Sequence, residues 1–532
     1  MTSISLYFDG FRIRSTIMPP KSHPKYLLAA LLLCSTALAA QTPAADTTIA
    51  GQTYTVLPVE TLIAQLRGPA DGPSATHRQV AFRGRLFAPT AGLDTVRVAL
   101  DCADVHFLDE VSFSQVVFLA PVLLTGVDFA GGLSLAGAHL AAPFALRDSR
   151  TAKHATFQQA RFDRSADFTA SHFAGVASFG KARFAGTAAD FAQAKFAGAA
   201  YFEEAEFTAP TEFIDAAFAG VAAFKATTWA RSLSFAGARF ADQAQFWDAR
   251  FASAATFASG RADGEVAFDR ARFTGPTSFA GFIFAQAARF RTTRFGRADF
   301  TGAYFRKEAD FNNAEATTVD LRAIFNRSLD LSRANFAQLD LRVADADSTF
   351  ADGAQLYLQQ PRLGRVFARW SQLQSHLATN ESGQDLIPAY AALRQQLLLQ
   401  GLDGDAEACL IERLDYQRLR LSWGEPKRWA MELWHLSSNY GTDPLQLVIF
   451  ILGSILIFGL VYRCAASSMR PICGEGQPTL ADCIVFSIYT FTRSGDRAWY
   501  ASGKLKLLVG VEALLGWIAL GLLIAVALAH LL

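Results

Sequence analysis

Methionine is scarce in this 532-residue chain, at 4, and cysteine hardly commoner, at 6. No two of Cys34, Cys102, Cys409, Cys464, Cys473 and Cys483 stand at CxxC spacing, and none sits beside a histidine at metal-ligand spacing. That excludes a zinc module and a disulfide-dense scaffold; the one pairing left open is Cys102 with Cys409. An excess of charge of either sign is also missing. The formal net charge is +1, so nothing draws the chain electrostatically to nucleic acid. The HExxH, GxSxG and P-loop patterns are absent, and neither catalysis, a metal nor a cofactor is expected.

What is abundant is phenylalanine, 45 residues against 12 tyrosines and 8 tryptophans. Such an excess of one bulky residue points to a repeat, and the length points to several domains. Residues 157–196 read FQQARFDRSADFTASHFAGVASFGKARFAGTAADFAQAKF, with phenylalanine at 157, 162, 168, 173, 179, 184, 191 and 196. The steps alternate five and six, with one seven. A helix places apolar residues at three and four, a strand at two. Five and six fit a chain that turns a corner after each short extended piece. One large and one small side chain, such as Phe162 and Ala160, then point inward, and Arg161, Arg183, Glu203 and Glu204 face solvent. The beat reaches back to about Val96 and forward to Phe305. In LDLSRANFAQLDL (329–341) it becomes a plain five. Ala262 skips one aromatic, and a local packing defect is expected there.

These residues resemble the pentapeptide-repeat family, with ADFTA, ADFAQ and ANFAQ as direct matches to its unit. The resemblance implies a mainly β fold, a right-handed quadrilateral β-helix over 96–350. At about 22 residues and ~4.8 Å per coil, that is roughly 11 coils and a rod on the order of 50–55 Å long. Arg250, Arg272 and Arg294 are one coil apart and should stack as a basic ladder. The ladder is either a solvated face offset by acids or a binding strip for a polyanion or headgroup phosphate. Some members of the family mimic DNA with an acidic surface. The balanced charge here gives no nucleic-acid-related role, and a protein partner on the rod is the expectation.

The two ends are apolar. MPPKSHPKYLLAALLLCSTALAA carries Lys21 and Lys25, a run from Tyr26 to Leu38 and an Ala37-Leu38-Ala39 cleavage pattern. Residues 1–40 read as a signal peptide with Met18 the better-fitting start; the alternative is an uncleaved anchor. Residues 41–95 form an N-terminal cap region. Near the other end, Pro444–Tyr462 carries no charge and Leu505–Leu532 carries only Lys506 at its start and Glu512 near its beginning; both are long enough to cross a bilayer. Between rod and spans, 351–443 reads as a helical adaptor, with helices at 363–378, 385–400, 404–421 and 425–437, and Asp403 or Asp405 capping the third. The stretch from YAALRQQLLLQG to YGTDP resembles the linker of bacterial proteins that join pentapeptide repeats to a two-helix channel.

The 444–532 domain is similar to the two-transmembrane potassium-channel family, in FSIYTFT (486–492), Gly495-Asp496 and the second span. The resemblance implies a re-entrant pore loop in a homotetramer. Thr490, Thr492, Ser494 and Gly495 would line the pore, Arg493, Asp496 and Arg497 would set the charge at its mouth, and Glu512 and Gly516 would support it. Glu512 reads equally as an acid near the headgroups or a buried brace. The Gly-Tyr-Gly filter of that family is absent, so potassium selectivity is not expected. Two functions follow: an ion-channel-like pore with an exported β-helical sensor or gate, or a non-conducting, lipid-embedded anchor for a scaffold. The signal segment and the basic residues between the spans put the β-helix on the periplasmic side of a bacterial inner membrane, with the loop entering from the cytoplasm.

Overall fold

The computed structural model describes residues 46–49, 51–70, 72–88, 90–342, 349–378, 385–473, 475–494 and 498–531. The signal segment 1–40 with Cys34, and Gly495, Asp496 and Arg497, lie outside the described residues.

The phenylalanine beat builds a β-solenoid. Each turn carries four short strands; Arg150–Thr151, Ala155–Thr156, Arg161–Phe162 and Ala166–Asp167 make one turn, and His172–Phe173 begins the next by pairing in parallel with Arg150–Thr151. Among the described residues the solenoid strands form sheets of 14, 22 and 14 strands, which is about 14 turns. The interior holds four aromatic columns. One runs Phe157, Phe179, Phe202, Phe224, Phe246, with successive ring centroids 4.6–4.9 Å apart. Stacked rings contribute on the order of 0.5–1.5 kcal/mol per pair beyond the area they bury.

The alternation of five and six has a local cause. Corners of two kinds alternate. At one kind, Ala160 N–H donates to Phe157 O (3.0 Å) across a tight turn whose third residue, Gln159, has φ 56°. Lys181, Gln193, Glu204 and Asp215 repeat this left-handed conformation. These are the five-residue steps. The six-residue steps cross a wider corner where neighbouring turns come close. A Cβ on Gly198 would stand 2.5 Å from Gly175 O, so only glycine fits there.

The ladder extends beyond the span that the beat marks. At the start, the hairpin Asp46–Ile49/Gln52–Pro58 already pairs in parallel with Val80–Arg83, and helix α1 (Val59–Leu66) buries Val59, Leu62 and Leu66 against the first turn. At the end, the helix expected at 363–378 is absent. Arg362–Phe367 is a strand paired to Asn335–Asp340, the short helix α2 (Trp370–Leu373) follows, and Leu377–Ala378 is a strand. The spacing of Leu363, Val366, Phe367, Trp370 and Leu373 mimics a helix because these residues close the last turn.

The adaptor helices α3 (Ile387–Leu399), α4 (Asp403–Arg420) and α5 (Pro426–Ser438) come next. Gln396 of α3 and Gln400 just past its end take up the open edge of Arg362–Phe367: Val366 N–H donates to Gln396 Oε1 (3.3 Å) and Gln400 Nε2 donates to Val366 O (2.5 Å). An exposed strand edge is thereby covered. Asp405 does not cap α4; it accepts from Trp370 N–H (3.0 Å) and ties the helix to the solenoid. Cys102 and Cys409 are separate, free and buried, not a disulfide.

Candidate functional site

Three helices form the C-terminal unit. Helix α6 (Pro444–Cys464) opens on proline, and Asp443 caps it by accepting from Gln446 N–H (2.9 Å). Helix α7 (Leu480–Thr492) begins with a capping box, in which Asp482 N–H donates to Thr479 Oγ1 (3.2 Å) and Thr479 N–H to Asp482 Oδ2 (2.9 Å). Helix α8 spans Leu505–Leu531. By length and composition α6 and α8 are able to cross a membrane, whereas the 13 residues of α7 are too few.

The contacts fix how deep α7 reaches. It runs back along α6, with Ile484 against Gly459 and Ser487 Oγ donating to Ile455 O (3.0 Å). Its end, Phe491, packs with Ile455 and Ala519, midway along both long helices. The chain then returns to the end it came from, where Trp499–Ala501 pairs with Met469–Pro471. Gly516 makes this packing possible, since any Cβ there would run into the carbonyl of Phe491.

A polar cluster sits inside this unit. Glu512 is fully buried; Tyr462 Oη donates to its Oε2 (2.5 Å), and Ser487 Oγ meets its Oε1. All three helices meet at this carboxyl. Glu512 is thus a buried acid shared by three helices, a placement that the packing and not the sequence reveals.

Thr490 is fully buried and its hydroxyl donates to Phe486 O (2.8 Å), so it faces its own chain and lines no surface. Its place at the end of an apolar helix gives no sign of which way it turns. Thr492 and Ser494 are exposed and share a hydrogen bond (2.6 Å). Arg493 takes a left-handed conformation (φ 49°) that stops α7, and its guanidinium lies 4.8 Å from the Trp517 ring centroid.

On the solenoid, Arg250, Arg272 and Arg294 occupy successive positions of one column, as expected of a ladder. Arg294 is tied to Glu315 (3.0 Å), and the nearby Arg289 and Arg291 are tied to Asp269 and Asp310. The adjacent face carries a shallow groove of about 480 Å³, floored by Ser234, Thr256 and Ser278, with Glu212 and Asp299 at its ends.

A family model for pentapeptide repeats (9 copies) matches residues 157–206. The pentapeptide-repeat match covers about two turns of the solenoid in which tight and wide corners alternate. No curated protein and no solved structure matches the chain.

Proposed function

We propose that the chain is an integral membrane protein in which several copies of the C-terminal unit surround an ion-permeable pore, with the solenoid as an exported sensing or gating domain. The observation that carries this is the end of α7. Thr492, Arg493 and Ser494 are exposed polar residues at the level of Gly516 and Trp517, midway along a span. Irregular backbone at that depth is tolerated only inside protein or against water. Copies related by an axis, four in the resemblance to two-transmembrane channels, supply both. The buried Glu512 cluster braces each copy.

Arg493 sets the selectivity. A ring of guanidinium groups repels cations, so the pore does not select potassium. Arg463 and Lys506 at the facing ends of the spans, with Arg470 and Lys504 between them, favour a cytoplasmic side for that connection, with the loop re-entering from within. The second reading is a non-conducting anchor whose solenoid binds a protein partner, and the groove along Ser234, Thr256 and Ser278 favours it.

Planar-bilayer recording of the purified full-length protein separates the two. Conductance that Arg493→Ala shifts toward cations supports the pore. Silence from protein shown to be inserted supports the anchor, and a reversal potential following the potassium gradient alone overturns the selectivity.

A further inference from the structure

We propose that α5 lies in the plane of the membrane surface, with its apolar face among lipid headgroups and acyl-chain ends. This rests on the membrane-spanning reading of α6, and the test below distinguishes the two.

Helix α5 is amphipathic the wrong way round for a helix in water. Trp429, Leu433 and Leu436, spaced by four and three, lie along one face and are 60%, 39% and 63% exposed. Arg428, Met431, Ser437 and Ser438 are buried on the other. The inward face is an ion-pair network: Glu432 binds Arg428 (2.6 Å) and Arg418 (2.7 Å), and Arg418 also binds Asp415 (2.8 Å). A helix bordering water turns its apolar stripe inward. Here the polar stripe is inward, so the surroundings of the outer stripe are apolar.

Lipid is the occupant that the neighbouring elements specify. Helix α6 begins within two turns of the end of α5, and exposed leucines, Leu436 and Leu445, stand on either side of the junction. Gln446 Nε2 donates to His435 O (2.9 Å) and Leu436 O (3.0 Å), which clamps α5 to the foot of the span. Trp423 is exposed beside Trp429, at 5.3 Å between ring centroids, and Lys427 and Arg420 are exposed on the same segment. Indole rings with an apolar body and a polar N–H concentrate at the membrane–water boundary, and lysine and arginine there meet lipid phosphates.

The test uses the full-length protein in lipid nanodiscs whose acyl chains are brominated either near the headgroup or near the chain end. Tryptophan emission is compared between the native protein and Trp429→Phe. The expected result is that Trp429→Phe removes a component quenched by headgroup-proximal bromine and little affected by deep bromine. If that component is quenched by neither lipid while Trp517 still is, α5 does not touch the bilayer, and the inference fails with the spans intact. If it is also shielded from aqueous acrylamide, a second copy of the chain covers the face, which equally overturns it. If no tryptophan is quenched, the membrane-spanning reading itself fails.

Discussion

Gly260 leaves the space that the Phe282 ring occupies one turn further on: a Cβ on Gly260 would stand 2.7 Å from Phe282 Cε2. This pair repairs the column at Ala262, where an aromatic is missing between Phe240 and Phe284. Phe282 stands where the repeat calls for a small residue, its ring 4.4 Å from that of Phe284, and both are buried. The expected defect is therefore filled. Gly260→Ala alone should destabilise by about 1–3 kcal/mol through overpacking. The triple change Gly260→Ala, Ala262→Phe, Phe282→Ala restores the regular pattern and should unfold close to wild type. Thermal melts followed by circular dichroism decide this; losses that simply add in the triple variant would refute the exchange.

Phe224 is fully buried, stacked between Phe202 and Phe246. Phe224→Asp removes the ring and strands a carboxylate, at a cost of at least roughly 3–5 kcal/mol. Local disorder and new protease cleavage near residue 224 are expected. Arg250→Ala, on the outside of the same solenoid, should change stability by less than about 0.5 kcal/mol.

In the C-terminal unit, Gly516→Ala should separate α7 from α8, whereas Gly521→Ala, whose Cβ would meet nothing within 4 Å, should be silent. Glu512→Leu leaves Tyr462 and Ser487 without their shared carboxyl and should destabilise by about 1–3 kcal/mol. Unfolding in mild detergent, read by tryptophan fluorescence, ranks the three variants. Equal behaviour of Gly516→Ala and Gly521→Ala would remove the basis for the close helix contact.

The cysteines should divide into two groups. Burial pushes the thiols of Cys102 and Cys409 up to about 12, so neither offers a thiolate near neutral pH. Cys464 and Cys473 are exposed. Maleimide labelling of the native protein at pH 8, followed by peptide mapping, should modify Cys464 and Cys473 and spare Cys102 and Cys409 until denaturant is added.

Much of the solenoid is readable in the sequence because its period is carried by single residues. A phenylalanine every five or six positions marks an inward corner regardless of what lies between. The repair by Phe282 is not readable, since the substitution and its compensation lie on different turns. Nor is the direction of Thr490, which depends on helices about 30 residues away in each direction. The inverted α5 is half visible. Trp429, Leu433 and Leu436 show a helical stripe, but only the Arg418–Glu432–Arg428 network reveals that this stripe faces out. The Gly-Tyr-Gly absence was legible at once, being a matter of composition.

The turns of the solenoid also change size along its length. Arg161 pairs with Arg183, Arg183 with Glu206, Arg250 with Arg272, Arg294 with Glu315 and Glu315 with Asn335, so turns of 22, 23, 22, 21 and 20 residues stack in one ladder, and the last, from Asn335 to Arg362, takes 27. The ladder thus absorbs small differences in turn length without losing its register. Each turn closes on itself and touches only the turns above and below. Duplicating one turn in the uniform middle would raise the tip by about 4.8 Å and leave the foot unchanged. Reach above the adaptor is therefore a quantity that lineages of this chain are free to lengthen or shorten in fixed increments, one turn at a time.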